Sequence, residues 1–211
     1  MAAVQTNLSL GQSVVSVAID AGKAIEDLLI EMKAKSVQAS QSGLDTDSYT
    51  ALNQEFTSLR AQVEAIVASA EFNGTNLIGS GSSNLDILST VDGSTITVTK
   101  QSIDATTLTI HTATLTDATV AGTALTAISQ AIVTVSNALA SLGSAAKRVD
   151  IQSEFTAKLT DILKQGVGNL VDADLAEESA NLQAAQIKQQ LGVQALAIAN
   201  AGPQSILALF Q

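Results

Sequence analysis

Three stretches of this chain place apolar or small residues alternately three and four positions apart, a rhythm that suits long helices packed side by side. The first runs through Leu8, Gly11, Val15, Ala18, Gly22, Ile25, Leu29, Met32, Ser36 and Ala39. At ~1.5 Å per residue a helix from Val4 to Ser40 is about 55 Å long, more than a compact globule of this size needs, so an elongated molecule is expected. Gly11 and Gly22 each lower helix propensity by about 1 kcal/mol relative to Ala, and their place in the seam predicts close approach by a neighbouring backbone. Ser42 and Gly43 break the pattern, and Asp45, Thr46, Asp47 or Ser48 is placed to cap a second helix, antiparallel to the first because the turn is short. Its seam is Tyr49, Leu52, Phe56, Leu59, Val63, Ile66 and Ala70.

The third seam is Leu125, Ile128, Ile132, Val135, Leu139, Leu142, Ala146 and Val149, continuing less cleanly through Phe155, Leu159, Ile162 or Leu163, Gly166 and Leu170. Between the second and third seams the helical period is lost. Leu85 to Val91 and Ser94 to Thr99 flank Asp92-Gly93, and Ile96 and Val98 alternate with threonines, which predicts a β-hairpin leaning on the helices. Leu108 and Ile110 alternate around Thr109 and suggest a further strand. Gly166 and Gly168 loosen the chain before a new start, where Asp174 and Glu177 have capping-box spacing and Glu178 adds negative charge to the first turn. The expected plan is therefore mainly α. It has helices at about 4–41, 46–70 and 120–166, a hairpin and Thr-rich insert at 72–119, and a separate helix and tail at 171–211.

Composition narrows the chemistry. Twenty acidic against ten basic residues give a net charge of −10, which opposes nucleic acid and anionic lipid surfaces. The chain has no cysteine and one histidine, His111, so disulfides, thiolate sites and His-based triads have almost nothing to use. No catalytic, cofactor or metal residue is assigned, and an enzyme resting on scattered carboxylates is the weakest of the readings. Gly79-Ser80-Gly81 lacks the following helix and Lys of a phosphate loop. Asp172 and Asp174 lack the further oxygen ligands of a calcium loop. Lys147, Arg148, Asp150 and Glu154 form a mixed-charge cluster suited to bridges across an interface, with solvated surface pairs as the alternative. The start, MAAVQTNLSLGQS, has neither the basic region nor the apolar run of a secretory signal.

The end of the chain is unlike the rest. Gln189 to Gln211 carries no charged residue, yet Leu191, Val193, Leu196, Ile198, Ile206, Leu207, Leu209 and Phe210 offer more apolar surface than one helix hides. Its glutamines and Pro203 interrupt any run of ~20 apolar residues, so no membrane span is expected. A protein partner is expected instead.

In order and motifs the sequence resembles bacterial flagellin over nearly its whole length. The resemblance rests on GKAIEDLLIEMKAKSVQAS (Gly22 to Ser40), EFNGTNLI (Glu71 to Ile78), the hairpin, KRVD (Lys147 to Asp150) and the terminus from Leu170 to Phe210. It implies a D1-like rod of long antiparallel, coiled-coil-like helices with a small β-hairpin, and a D0-like C-terminal helix lining the core of an extracellular filament. Assembly contacts are then expected at Leu191, Leu196, Ile198, Leu207, Leu209, Phe210, Phe72, Asn73, Gly74 and Arg148. Other subunits, a flagellin export chaperone and the flagellar export apparatus are the implied partners.

Two departures from the family pattern qualify this. The family's first helix and its Arg- and Asn-bearing spoke are not seen, which predicts an N-terminally truncated fragment whose tail is poorly ordered or packed on a copy of itself or on a chaperone. A rigid, exposed lone helix would contradict that account. About fifty residues separate the second and third helices, so large outer domains are absent or minimal. In the strip that the family presents to Toll-like receptor 5, its basic position falls on Glu31 and its apolar one on Lys35, while Glu55 matches; weak binding is expected. A second reading is a cell-surface flagellin homologue that binds polysaccharide through Lys33, Lys35, Lys147 and Arg148. Net negative charge and scarce aromatic platforms oppose it.

Overall fold

The computed structural model describes residues 1–207, without the side chains of residue 173 and of 200–207. The chain divides into two units, Met1–Ala157 and Lys158–Gln211. The first unit is built on α1 (Ala2–Ala39), with α2 (Thr46–Ser69), two small hairpins and the first part of α3 (Ala118–Leu207).

All ten positions of the expected α1 seam are buried, joined by Val4 and Val14. A chain reversal with Gly43 at φ 96° leads into α2. Asp45 is the cap: its carboxylate accepts the Ser48 N–H at 2.7 Å, and that hydrogen bonding holds its pKa below the ordinary carboxylate value. The helix returns along α1, so that Lys35 near the end of one meets Glu55 near the start of the other, and Tyr49 Oη donates to the Gln41 carbonyl. Phe56, Val63, Val67 and Ala70 are buried, with Tyr49, Leu52, Leu59 and Ile66 half-buried against the same core.

In α3 the seam shifts by one residue at alternate positions. Ile128, Val135, Leu142 and Val149 are buried as expected, but the positions between them are filled by Ala124, Ala131, Ala138 and Ala145. Leu125, Ile132, Leu139 and Ala146 flank the seam, half-buried. Small residues at the axis let α3 approach its neighbours closely while larger ones seal the flank. Asp117 caps this helix, accepting the Thr119 and Val120 N–H groups at 2.8 and 2.9 Å.

The two seam glycines of α1 receive side chains rather than backbone, against expectation. A Cβ on Gly11 would overlap Ile87 Cδ1 and lie 2.7 Å from its Cγ1; one on Gly22 would lie 2.8 Å from Leu139 Cδ2. Ile87 belongs to β3 (Leu85–Leu88), paired antiparallel with β4 (Thr95–Val98) in the register Leu85↔Val98 to Leu88↔Thr95. Ser89 N–H donates to the Ser94 carbonyl, so four residues, Thr90 to Gly93, make the turn, with Gly93 at φ 91°. Before it, Glu71–Phe72 (β1) and Thr75–Asn76 (β2) form a second hairpin around Asn73-Gly74.

Several expectations are corrected. Leu108 and Ile110 are buried and Thr109 is exposed, yet the segment is turn rather than strand. Asp104 organises it, accepting the Thr106 and Thr107 N–H groups and the Thr107 hydroxyl. Partial burial of that carboxyl raises its pKa, but the Thr107 and backbone bonds outweigh this and leave it lowered. Alternating burial thus comes from a folded-back turn, with Thr109 at φ 59°.

The third helix does not stop near 166, nor does another begin near 175. α3 runs through Gly166, Gly168 and the Asp174/Glu177 pair, because two glycines cost roughly 1 kcal/mol each against a background of Ala, Leu, Gln, Glu and Lys. Beyond Val149 the continued seam fails, since Phe155, Ile162, Leu163 and Leu170 are exposed and Thr156 is the buried residue. In the second unit nearly every described side chain is exposed. The part of the tail within the described residues is helical rather than poorly ordered, and its described side chains are exposed. Helix-forming composition is enough for that backbone; it gives no cover to the side chains.

Two results are expected from denaturant unfolding. Gly11→Ala destabilises by about 1–3 kcal/mol, because branched Ile87 presents three atoms to the new methyl, which outweighs the helix-propensity gain of ~1 kcal/mol. Gly22→Ala is near neutral, since only the tip of Leu139 has to move, and exposed Gly143→Ala stabilises by up to about 1 kcal/mol. Equal effects at all three would refute the packing account. Thr109→Asn stabilises by about 1 kcal/mol, Asn being at ease at positive φ where a β-branched residue is strained; a loss of stability there would show that the threonine is not strained.

Candidate assembly surface

The residues that resist an isolated reading lie on helix faces and at one turn. In the second unit Leu191, Leu196 and Ile198 are 59%, 66% and 74% exposed, with Leu175, Leu182, Ile187 and Val193 similarly open. They do not form one stripe. Leu175, Leu182 and Val193 are seven and eleven residues apart, close to whole turns, and share a face. Ile187, Leu191 and Ile198, spaced by four and seven, share another, roughly 140° round the helix. Ordinary surface helices are apolar on one side only; apolar residues on two sides require partners on both. The side chain of Leu207 and all of Leu209 and Phe210 lie outside the described residues.

In the first unit Phe72, Asn73 and Gly74 form the exposed tip of β1–β2, with Asn73 at φ 51° and Gly74 at φ 78°, the two-residue turn that Asn-Gly favours. Asn76 holds this hairpin to the helices. Its Nδ2 donates to the Val67 carbonyl at the end of α2 at 2.7 Å, and its Oδ1 accepts the Ile78 and Gly79 N–H groups at 2.8 and 2.9 Å. Arg148 is exposed on α3 without an ion-pair partner among the described residues. Exposed Ile151 and Phe155, one turn apart on that helix, add an apolar patch.

The charged strip is drawn together. Glu31, Lys35 and Glu55 line one shallow groove between α1 and α2, with Leu59 and Gln62, and Lys35 is ion-paired to Glu55. Lys147 pairs with Asp150 one turn on, both well exposed, so the mixed-charge cluster is a solvated local pair rather than a bridge between elements. Of the four cations suggested for polysaccharide, Lys35 and Lys147 already face carboxylates, while Lys33 and Arg148 are exposed on different helices; that reading has no support.

Sequence reasoning missed the asparagines that fasten loops to helices. Asn7 Oδ1 accepts the Leu88 N–H at 2.7 Å and so ties the β3–β4 hairpin to α1; Asn53 Oδ1 accepts Leu115 N–H at 2.8 Å. Arg60 reaches the Ala113 carbonyl at 2.9 Å, and Gln152 reaches that of Ser89. All join residues more than fifty positions apart, which no local pattern reveals. By length and composition alone α3 contains a stretch apolar enough to cross a membrane, with 28% of it buried. The Ala-, Ile- and Val-rich composition that suits close helix packing meets that test equally well.

Residues 1–83 match the bacterial flagellin N-terminal helical region and residues 125–210 the bacterial flagellin C-terminal helical region. Flagellin FljM of Caulobacter vibrioides is 46% identical over 212 residues, covering 100% of this chain and 78% of its own. The flagellin of Brucella melitensis is 34% identical over 222 residues, covering 99% of this chain and 78% of its own. Among solved structures, Bacillus cereus flagellin superposes with a TM-score of 0.66 at 22% identity, over 71% of this chain and 88% of that one, a likeness of fold. With its helical seams, its hairpins and both terminal regions matched, the chain belongs to the bacterial flagellins, the structural subunits of the flagellar filament.

Proposed function

We propose that this flagellin assembles with other copies through the two apolar faces of α3 around Leu182 to Ile198, placed among neighbouring helices in the interior of the filament. The observation that carries this is the pair of exposed apolar stripes, roughly 140° apart, on one helix that carries no charge from Gln189 onward. One partner helix would cover one stripe; a polymer core covers both. The exposed tip at Phe72 to Gly74 and unpaired Arg148 are proposed as contacts of the first unit with adjacent subunits. Before export, the stretch from Gln189 onward is the part that a chaperone groove would take, as amphipathic helices are held elsewhere. The subunit does its work outside the cell and performs no chemistry.

The groove at Glu31, Lys35 and Glu55 supports weak recognition by Toll-like receptor 5, since two of its three positions differ in charge or polarity from the family strip. The Lys35–Glu55 pair, half-exposed, is worth at most about 1 kcal/mol, so it can be altered without loss of the fold.

Two experiments test these proposals. Leu191→Asp combined with Ile198→Asp, introduced into the gene as the bacterium carries it, abolishes filaments under electron microscopy and leaves the unfolding of the first unit unchanged; filaments of normal yield and length would overturn the assembly reading. Glu31→Arg with Lys35→Leu raises the response of reporter cells bearing the receptor above that of the parent chain. An unchanged response would remove this groove from recognition.

A further inference from the structure

Nine asparagines stand in this sequence, and Asn73 alone is followed by glycine. Asn7, Asn53, Asn137, Asn169, Asn181 and Asn200 lie inside helices, where the backbone is fixed by repeated i to i−4 bonding. Asn76 and Asn84 lie outside them, but the side-chain oxygen of Asn76 accepts Ile78 and Gly79 N–H groups, and that of Asn84 accepts Lys100 N–H. Asn73 differs from all eight. Among the described hydrogen bonds its side chain takes part in none, and it sits exposed at the tip of a hairpin whose strands are two residues long. The pairing Glu71↔Asn76 and Phe72↔Thr75 leaves the Gly74 N–H out of the ladder. Nothing lies within 4 Å of the point that a Cβ on Gly74 would occupy, so its nitrogen is approachable from that side.

We propose that Asn73-Gly74 is a site of self-catalysed covalent modification. The Gly74 nitrogen attacks the side-chain carbonyl carbon of Asn73. A carbon–nitrogen bond forms, the bond to the side-chain amide nitrogen breaks, and ammonia departs with the proton given up by Gly74, leaving a five-membered succinimide. Water then adds to one of the two imide carbonyls and opens the ring. One opening leaves an ordinary aspartate in place of Asn73 and the other a β-linked isoaspartate, and neither path oxidises or reduces anything. Glycine is needed because any Cβ on the attacking residue would crowd the ring. The folded turn slows the step, since Asn73 at φ 51° must leave the left-handed region, but a hairpin this short opens locally at little cost.

Either product adds a negative charge beside Glu71 to a chain already at −10. The β-linked form also lengthens the backbone within a two-residue turn, whose register admits no extra atom, so β1–β2 pairing is lost. Asn76 stays bound to the Val67 carbonyl, which confines the damage to the tip.

The test is a time course of the purified full chain in mildly alkaline buffer, digested and mapped by electron-transfer fragmentation, which separates the aspartate and isoaspartate forms. Conversion at position 73 is expected to run several-fold faster than at any other asparagine, and Asn73→Gln is expected to remove the fastest-forming product. Conversion spread evenly over Asn73, Asn169 and Asn181, or none at 73 while others convert, would overturn the proposal. The readout does not depend on filament formation, so it stands or falls apart from the assembly reading.

Discussion

The seam of α1 is the surface on which the first unit depends, because α2, both hairpins and α3 all rest on it. Gly11 takes Ile87 from the β3–β4 hairpin, Gly22 takes Leu139 from α3, and Asn7 binds the backbone of Leu88 beside the first of these contacts. A single helix can serve so many partners only if its buried face changes size along its length, and the run Leu8, Gly11, Val14, Val15, Ala18, Gly22, Ile25 does so. Small residues mark where a neighbour's side chain enters; large ones mark where α1 fills the space itself. The glycines are therefore kept despite their cost to the helix, because the close packing of interiors leaves no room for a methyl at Gly11.

That face was readable in the sequence because its rhythm is local. The α3 seam was readable only in part, for a physical reason: a search for apolar bulk selects Leu125, Ile132 and Leu139, whereas close helix packing buries the alanines next to them. The large side chains lose water at the flank and the small ones set the distance between axes. The Thr-rich segment misled in another way. Leu108 and Ile110 are both buried, and period-two burial is what a strand shows, but the Asp104 carboxylate gathers three donors and folds the chain back. Contacts through Asn53, Arg60 and Gln152 were invisible because their partners are remote in sequence.

The candidate assembly residues divide along the same line. The left-handed backbone at Asn73 and Gly74 follows from their identities. The grouping of Glu31, Lys35 and Glu55 needed the return of α2 along α1, which follows from the short connection. Two apolar faces on this part of α3 were not apparent from a list of its apolar residues; they emerge only when spacing is converted to angle on an uninterrupted helix. The expected break near Gly166 to Gly168 had hidden that continuity.

Helix formation and the covering of apolar surface are separable in this chain, and a polymerising subunit needs them separated. Ala, Leu and Gln give the second unit its backbone hydrogen bonds locally, so residues Leu182 to Ile198 have a defined helical surface before any partner is present. Each exposed Leu or Ile leaves about 1.5–3 kcal/mol of burial free energy unrealised until it docks. If subunits dock through this helical surface as proposed, little of that goes into ordering it and more is available to hold them together. The absence of charge from Gln189 onward serves the same end, since no ionic group there has to be stripped of water when helices meet. The first unit works in the opposite sense: its seams are satisfied internally, and what it exposes are turns, isolated side chains and an apolar patch at Ile151 and Phe155. In the proposed assembly, strength is thus placed in the segment that neighbouring helices would surround, while the core of the first unit is closed within one chain.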